Sequence, residues 1–155
     1  KQIKNSLSNY QGVKRRFTFI GKKSKALIFD DYAHHPTEIE ATFLAAKKIS
    51  KNIIVVFQPH RYSRTSILFD QFVKILSKIK NLYILKTYSA GEKIIMGATA
   101  KDLSKEIFQK NKNILYVNKD EDIYYHLNKY TFDKNLIIFM GAGSITKLAN
   151  NFAKL

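Results

Sequence analysis

Four short apolar runs constrain this chain more than any other feature. They are IIVVF (Ile53–Phe57), LYIL (Leu82–Leu85), ILYV (Ile114–Val117) and LIIFM (Leu136–Met140). Each is short and continuous rather than alternating, and the first and last are rich in β-branched residues. A strand with one wet face alternates apolar and polar residues, whereas a continuous run marks a strand buried on both faces. Segments with helical character separate and follow the runs. In Thr37–Ser50, Ile39, Phe43, Leu44, Ala46 and Ile49 recur at helical spacing. Thr65–Lys80, Ala100–Lys110, Asp120–Tyr130 and Ile145–Leu155 read the same way. Ahead of them, RFTFI (Arg16–Ile20) and ALIF (Ala26–Phe29), joined by the turn GKKSK, read as a hairpin. The whole predicts an α/β fold: a mainly parallel sheet of about six strands, one antiparallel edge strand, and helices on both faces.

Bulk properties narrow the class. At 155 residues one domain is expected, and a domain of ~150 residues buries roughly 70% of its unfolded surface, so no staple is needed. There is no cysteine, which excludes disulfides, thiol nucleophiles and cysteine-bound metals and fits a reducing cytosol. No apolar run approaches the ~20 residues of a membrane span. The basic opening KQIKNSLSNYQG has no apolar stretch behind it and is not a signal peptide. It lacks an initiating methionine and resembles a linker, so the chain is expected to be a piece of a longer protein. Residues 1–14 would be an interdomain linker and 15–155 the domain. The formal charge of +15 attracts polyanions, or else reflects lysines on a solvated face. No helix-turn-helix, RRM or KH signature supports a nucleic-acid module.

In a parallel sheet, ligands meet the loops at the carboxyl ends of the strands. The polar loops all lie there: DDYAHHP (Asp30–Pro36), QPHRYSRT (Gln58–Thr65), TYSAGE (Thr87–Glu92) and GAGS (Gly141–Ser144). The first is open to three readings: a metal site, an acid/base pair or a polar helix entry. His34 and His35 are adjacent and point differently, whereas metal sites favour spacings such as i, i+4. A strand-end carboxylate that contacts ribose hydroxyls or orients a histidine suits the pattern better. Thr37 and Glu40 have the spacing of a capping box. In the second loop, Arg61 and Arg64 share a face if a helix starts beside them, and with its free N–H groups they form an anion pocket. GAGS is either a phosphate cradle or a tight strand-to-helix turn. Thr146 occupies the third glycine position of a dinucleotide fingerprint, and no Walker A spacing is present. The turn also follows the last strand, not the first.

Taken in order, GVKRRF (Gly12–Phe17), DDYAHHPTEI (Asp30–Ile39), FQPHRYSRT (Phe57–Thr65), YSAGE (Tyr88–Glu92) and GAGSI (Gly141–Ile145) resemble the C-terminal domain of the Mur ligase family. FQPHRYSRT resembles the alanine-adding branch. A sister branch that recycles a murein tripeptide shares the VKRR and AHHP strings and differs at this loop. The resemblance implies a Rossmann-like three-layer sandwich, the last of three domains. The first would hold the UDP-sugar and the second the ATP loop and magnesium ligands. ATP and Mg2+ would thus be bound mainly by domains absent from this chain, with no metal site within it.

The implied partners are UDP-N-acetylmuramate, L-alanine, ATP and the two other domains, with no nucleic acid or membrane, in the bacterial cytoplasm. The implied chemistry is amide formation through an acyl phosphate, as part of peptidoglycan precursor synthesis. By the same resemblance Arg16 and Asp31 are the catalytic candidates, and His34, His60, Arg61 and Arg64 bind substrate. Arg15, Tyr32, His35 and Glu92 are second-tier. The fragment alone is expected to be inactive, because the ATP loop is missing.

Overall fold

The computed structural model describes residues 15–155. The expected linker, residues 1–14, lies outside the described residues. Six strands form one sheet: β1 (Thr18–Lys23), β2 (Ala26–Asp31), β3 (Ile53–Phe57), β4 (Asn81–Leu85), β5 (Ile114–Val117) and β6 (Leu136–Met140). Their spatial order is β1-β2-β6-β3-β4-β5. Only β1 runs antiparallel, along β2 at the edge, and every other pairing is parallel. The α/β prediction with one antiparallel edge strand therefore holds.

The helices are α1 (Pro36–Lys47), α2 (Tyr62–Ile67), α3 (Phe69–Leu76), α4 (Ala100–Lys110), α5 (Ile123–Asn128) and α6 (Ile145–Lys154). The apolar runs of β3, β4 and β6 are buried on both faces as predicted, whereas ILYV forms edge strand β5 and leaves Leu115 exposed. Along β3, Ile53, Val55 and Phe57 join Phe43, Phe72, Leu76 and Leu103 in one core layer. Ile54 and Val56 join Phe139, Ile145 and Phe152 on the other face. Helices α1, α3 and α4 cover the first face, and α5 and α6 the second.

Several boundaries differ from the sequence reading, each for a local reason. Helix α1 is capped by His35, not Thr37: the His35 side chain faces the Thr37 amide, and the Glu38 carboxylate accepts from the amides of His34 and His35. Pro36 at the first helical position has its φ preset and no N–H to satisfy, so the helix starts ahead of Thr37. Leu44 and Ile49, expected on the core stripe, are about half exposed, each at 53%. The single helix expected over Thr65–Lys80 is two. It starts earlier, at Tyr62, and bends at Leu68, where φ is −107° and ψ 17°. That bend lets Tyr62 and Thr65 bury on one heading and Phe72, Val73 and Leu76 on another. The turn expected at Gly21–Lys25 shrinks to Ser24–Lys25, because β1 pairs with β2 as far as Lys23 opposite Ala26. Strand β2 runs two residues beyond the expected Phe29, so Asp30 and Asp31 belong to the strand. Asp120–Asp122 form a 3-10 turn ahead of the shorter α5.

Register positions the site. Met140 pairs with Asp31 on one side and with Phe57 on the other, and Phe57 pairs with Ile84. The loops after β2, β3, β4 and β6 therefore leave the sheet at nearly one level.

Candidate functional site

Three backbone ties lock the strand-end loops together. The Gln58 amide donates to the Met140 carbonyl, the Gly141 amide to Asp31, and the Arg61 amide to Tyr88. His60 and Tyr88 form a parallel bridge, and their rings stack at 5.3 Å and 12°. The His34 ring lies 6.0 Å from the His60 ring. Thus His34 and His60, from the loops after β2 and β3, converge where the sheet ends.

Gln58 is the residue that sequence reasoning missed. It is buried, its Nε2 donates to Ser144 Oγ, and its Oε1 accepts from the Ile145 amide. It thereby orients the GAGS turn. Its only sequence signal is a polar side chain directly after an all-apolar strand. The turn itself is a close-packed one. A Cβ on Gly143 would sit 2.6 Å from Tyr88 Cγ and 2.7 Å from Gln58 Oε1, well inside contact distance, so glycine there is what allows the turn to approach the Tyr88–His60 stack.

The DDYAHHP loop separates its polar residues by task. Asp31 is buried, and its carboxylate accepts from the amides of Phe17 (2.6 Å) and Ala33 (2.7 Å). Asp30 accepts from Thr146 Oγ1 and lies 3.4 Å from Arg15 Nε. Burial raises its pKa, opposed by the Thr146 hydrogen bond and the Arg15 charge. His35 is used up as the cap, with Nδ1 2.9 Å from Thr37 Oγ1. His34 turns the other way, Nδ1 2.8 Å from the Tyr32 carbonyl, as adjacency requires. The Tyr32 ring meets His34 edge-on and lies under the Arg15 guanidinium, 4.6 Å away.

Arg15 and Phe17 both have positive φ, 64° and 45°. Bracketed by them, Arg16 projects into solvent and reaches Glu38 at 3.4 Å. Arg15 instead folds inward and donates to the Gly141 carbonyl at 2.6 Å. Of the two adjacent arginines, Arg16 is the exposed one, held by a surface ion pair to Glu38.

In the loop after β3, Arg64 folds back onto His60, with one guanidinium nitrogen 3.2 Å from both its carbonyl and its Nδ1. Arg61 is exposed, at φ 71°, just ahead of α2. The helix start does not serve as an anion seat. Glu92 holds it, accepting from the Ser63 amide at 3.0 Å and from Ser63 Oγ at 2.6 Å. Anion-binding capacity therefore rests on the guanidinium groups, not on free helix N–H groups. Burial, and after it the charges of Arg64, His34 and Arg61, hold the His60 pKa below the ordinary histidine value, while Glu92 pulls the other way. Alongside runs a groove of about 580 Å³ that Gln58, Tyr88, Glu92, Asp120 and Ser144 help to line.

The Ser63 hydrogen bonds lower the Glu92 pKa, so the charged latch is present above the ordinary glutamate range and is lost as pH falls through the lowered value. NMR titration of the Glu92 carboxyl should give a midpoint below 4.5, and Ser63→Ala should raise it. An unchanged midpoint in that variant would show that the latch does not govern Glu92.

Among the described residues no group of three or more His, Asp or Glu side chains is placed to hold a metal ion. The two strand-end carboxylates do not fit one either. Asp31 is committed to two amides, and Asp30 to Thr146 and Arg15.

Comparison with known proteins agrees with this fold. The family model described as "Mur ligase, glutamate ligase domain" matches residues 15–143. The UDP-N-acetylmuramate–L-alanine ligase of Carboxydothermus hydrogenoformans is 40% identical over 149 residues, covering 96% of this chain and 32% of that protein. The chain thus spans about a third of the length of the curated relatives it matches. Among solved structures, the UDP-N-acetylmuramate–alanine ligase of Thermotoga maritima superposes with a TM-score of 0.73 at 23% identity, over 97% of this chain and 31% of that one. A murein peptide ligase of Psychrobacter arcticus gives 0.69 at 22%, over 97% and 32%. These two show the fold, while the family model and the 40% relative settle kinship: the chain belongs to the Mur ligase family, as its C-terminal domain.

Proposed function

We propose that this domain closes over ATP and UDP-N-acetylmuramate in the ligase that joins L-alanine to the muramoyl carboxylate. The observation that supports it is the convergence of His34, His60, Arg61 and Arg64 at one end of the sheet, with FQPHRYSRT resembling the alanine-adding branch. Relatives that carry that activity in their names, at 38–42% identity, support it. Residues 1–14 act as the linker to the preceding domain.

The chemistry asks for positioned charge. Transfer of a phosphoryl group to a carboxylate, then attack by an amine on the acyl phosphate, is limited by placement and by neutralising anionic oxygens. Arg61 and the Arg64 fork face that task, since guanidinium pairs with carboxylate or phosphate in two bonds at once. Arg16, exposed beside the strand ends, meets the nucleotide side of the facing domain. Closure of this domain excludes water that would hydrolyse the acyl phosphate. Mg2+ and the ATP loop belong to the central domain. Asp31 acts from within, holding Phe17 and so the Arg16 segment in place. The protein works in the bacterial cytoplasm. No helix of the described residues is long and apolar enough to cross a membrane.

The test compares the 155-residue chain with the full-length protein. With ATP, Mg2+, UDP-N-acetylmuramate and L-alanine, the full-length protein should release phosphate and the isolated chain none. Alanine-dependent phosphate release by the isolated chain would sink the domain assignment. Release that depends on a murein tripeptide and not on alanine would move the protein to the recycling branch.

A further inference from the structure

Resting on the ligase reading above, we infer that Nε2 of His34 takes the proton from the attacking amine, while the Nε2–H of His60 donates a hydrogen bond in the same site. The two rings are told apart by what holds their Nδ1 atoms. Nδ1 of His34 lies 2.8 Å from the Tyr32 carbonyl oxygen, which only accepts. That nitrogen therefore carries the hydrogen, and the Nε2 lone pair is free. Nδ1 of His60 lies 3.2 Å from an Arg64 guanidinium nitrogen, which only donates. That nitrogen therefore holds the lone pair, and the hydrogen is on Nε2.

Surroundings sharpen the contrast. Glu38 Oε2 is 3.5 Å from Nδ1 of His34, so an imidazolium formed there finds a carboxylate and a carbonyl on its Nδ1 side. A carboxylate set behind an imidazole in this way fixes its tautomer and stabilises the charge it acquires. Arg16 shares Glu38 at 3.4 Å, and Arg15 sits over the neighbouring Tyr32 ring. On the facing loop stands His60, with Arg64 against its Nδ1. Protonating that nitrogen would set an N–H against a guanidinium N–H, in line with the lowered His60 pKa. Among the described residues nothing is hydrogen-bonded to Nε2 of His34, and its ring is a direct neighbour of the His60 ring, centre to centre 6.0 Å, so both rings border one site.

The step balances without a further reagent. The alanine ammonium gives one proton to His34 Nε2, and its lone pair attacks the acyl carbon to form the C–N bond. The adduct collapses, the C–O bond to phosphate breaks, and the second N–H proton leaves with the phosphate. His34 then returns its proton to solvent.

The test uses the full-length protein with ATP, Mg2+ and UDP-N-acetylmuramate, and compares L-alanine with hydroxylamine. Hydroxylamine is already a free base at neutral pH and attacks the acyl phosphate without giving up a proton first. In His34→Gln the ratio of alanylation to hydroxamate formation should fall by at least ~100-fold at neutral pH, the scale of general-base catalysis. The ratio should recover as pH rises and free alanine loses its own proton. In His60→Gln both rates should fall together and the ratio stay as in the wild type. A wild-type ratio in His34→Gln would overturn the assignment of the base. If the wild type makes no hydroxamate at all, the ligase reading itself falls and the assignment with it.

Discussion

Replacing Arg64 by alanine in the full-length protein is expected to lower kcat/KM for alanine by at least ~100-fold, the scale seen when one positioned donor to a developing anion is removed. Two losses combine. A guanidinium leaves the anion site, and His60 loses the donor that fixes its Nδ1 and its carbonyl. Arg64→Lys should recover only part of the rate, because lysine keeps the charge and not the planar fork. Arg61→Ala should fall by a similar factor with even less structural cost, since its side chain is exposed. Both variants should melt close to the wild type. Steady-state kinetics with alanine and with UDP-N-acetylmuramate varied in turn would separate the two arginines by which KM each one moves. Near-normal kinetics in both would remove the anion-binding reading of the loop after β3.

The second large effect is on stability. Asp31→Ala should destabilise the domain by about 2–4 kcal/mol, because the amides of Phe17 and Ala33 lose their acceptor and each such loss costs ~1–3 kcal/mol. For a domain of this size the melting temperature should drop by roughly 5–12 °C. Asp31→Asn keeps one acceptor and should lose about half as much. Thermal unfolding of the 155-residue chain measures this without any substrate. An unchanged melting point joined to lost activity in the full-length protein would mean that Asp31 acts on the ligand directly rather than by holding the Arg15–Phe17 segment.

Asp31 shows where the sequence is legible and where it stops. The five-residue runs at Ile53–Phe57 and Leu136–Met140 declare a sheet buried on both faces, because burial on both sides leaves no room for polar alternation. Their order with the helices then yields the architecture, and the loops at the strand ends follow from it. That His34 and His35 must diverge was also readable from adjacency alone. What could not be read is the long-range hydrogen bonding. Nothing local links Gln58 to Ser144, which meet only because β3 lies beside β6, and although Phe17 and Asp31 face each other across the predicted hairpin, their bond depends on a register that only the structure shows. The cap of α1 is hard to read for a related reason: a histidine is an uncommon N-cap, and the Thr37–Glu40 pair offers the same spacing two residues later. Glu92 is legible as a polar loop residue but not as the latch on Ser63, which depends on the fold bringing β3 and β4 side by side.

The ties among the strand-end loops have a consequence for how the whole protein spends its binding energy. Because Arg61 is tied to Tyr88, Gln58 to Met140, Gly141 to Asp31, and Ser63 to Glu92 within the domain itself, these loops need little ordering when, in the proposed ligase, the domain closes. What remains is the entropy of bringing one finished surface to another. In the proposed ligase the domain then behaves as a tethered reagent, whose local concentration is set by the link to its neighbour rather than by the site; short flexible linkers in general give values of millimolar order. Lengthening that link should dilute the domain, while the arrangement of its four loops stays as it is.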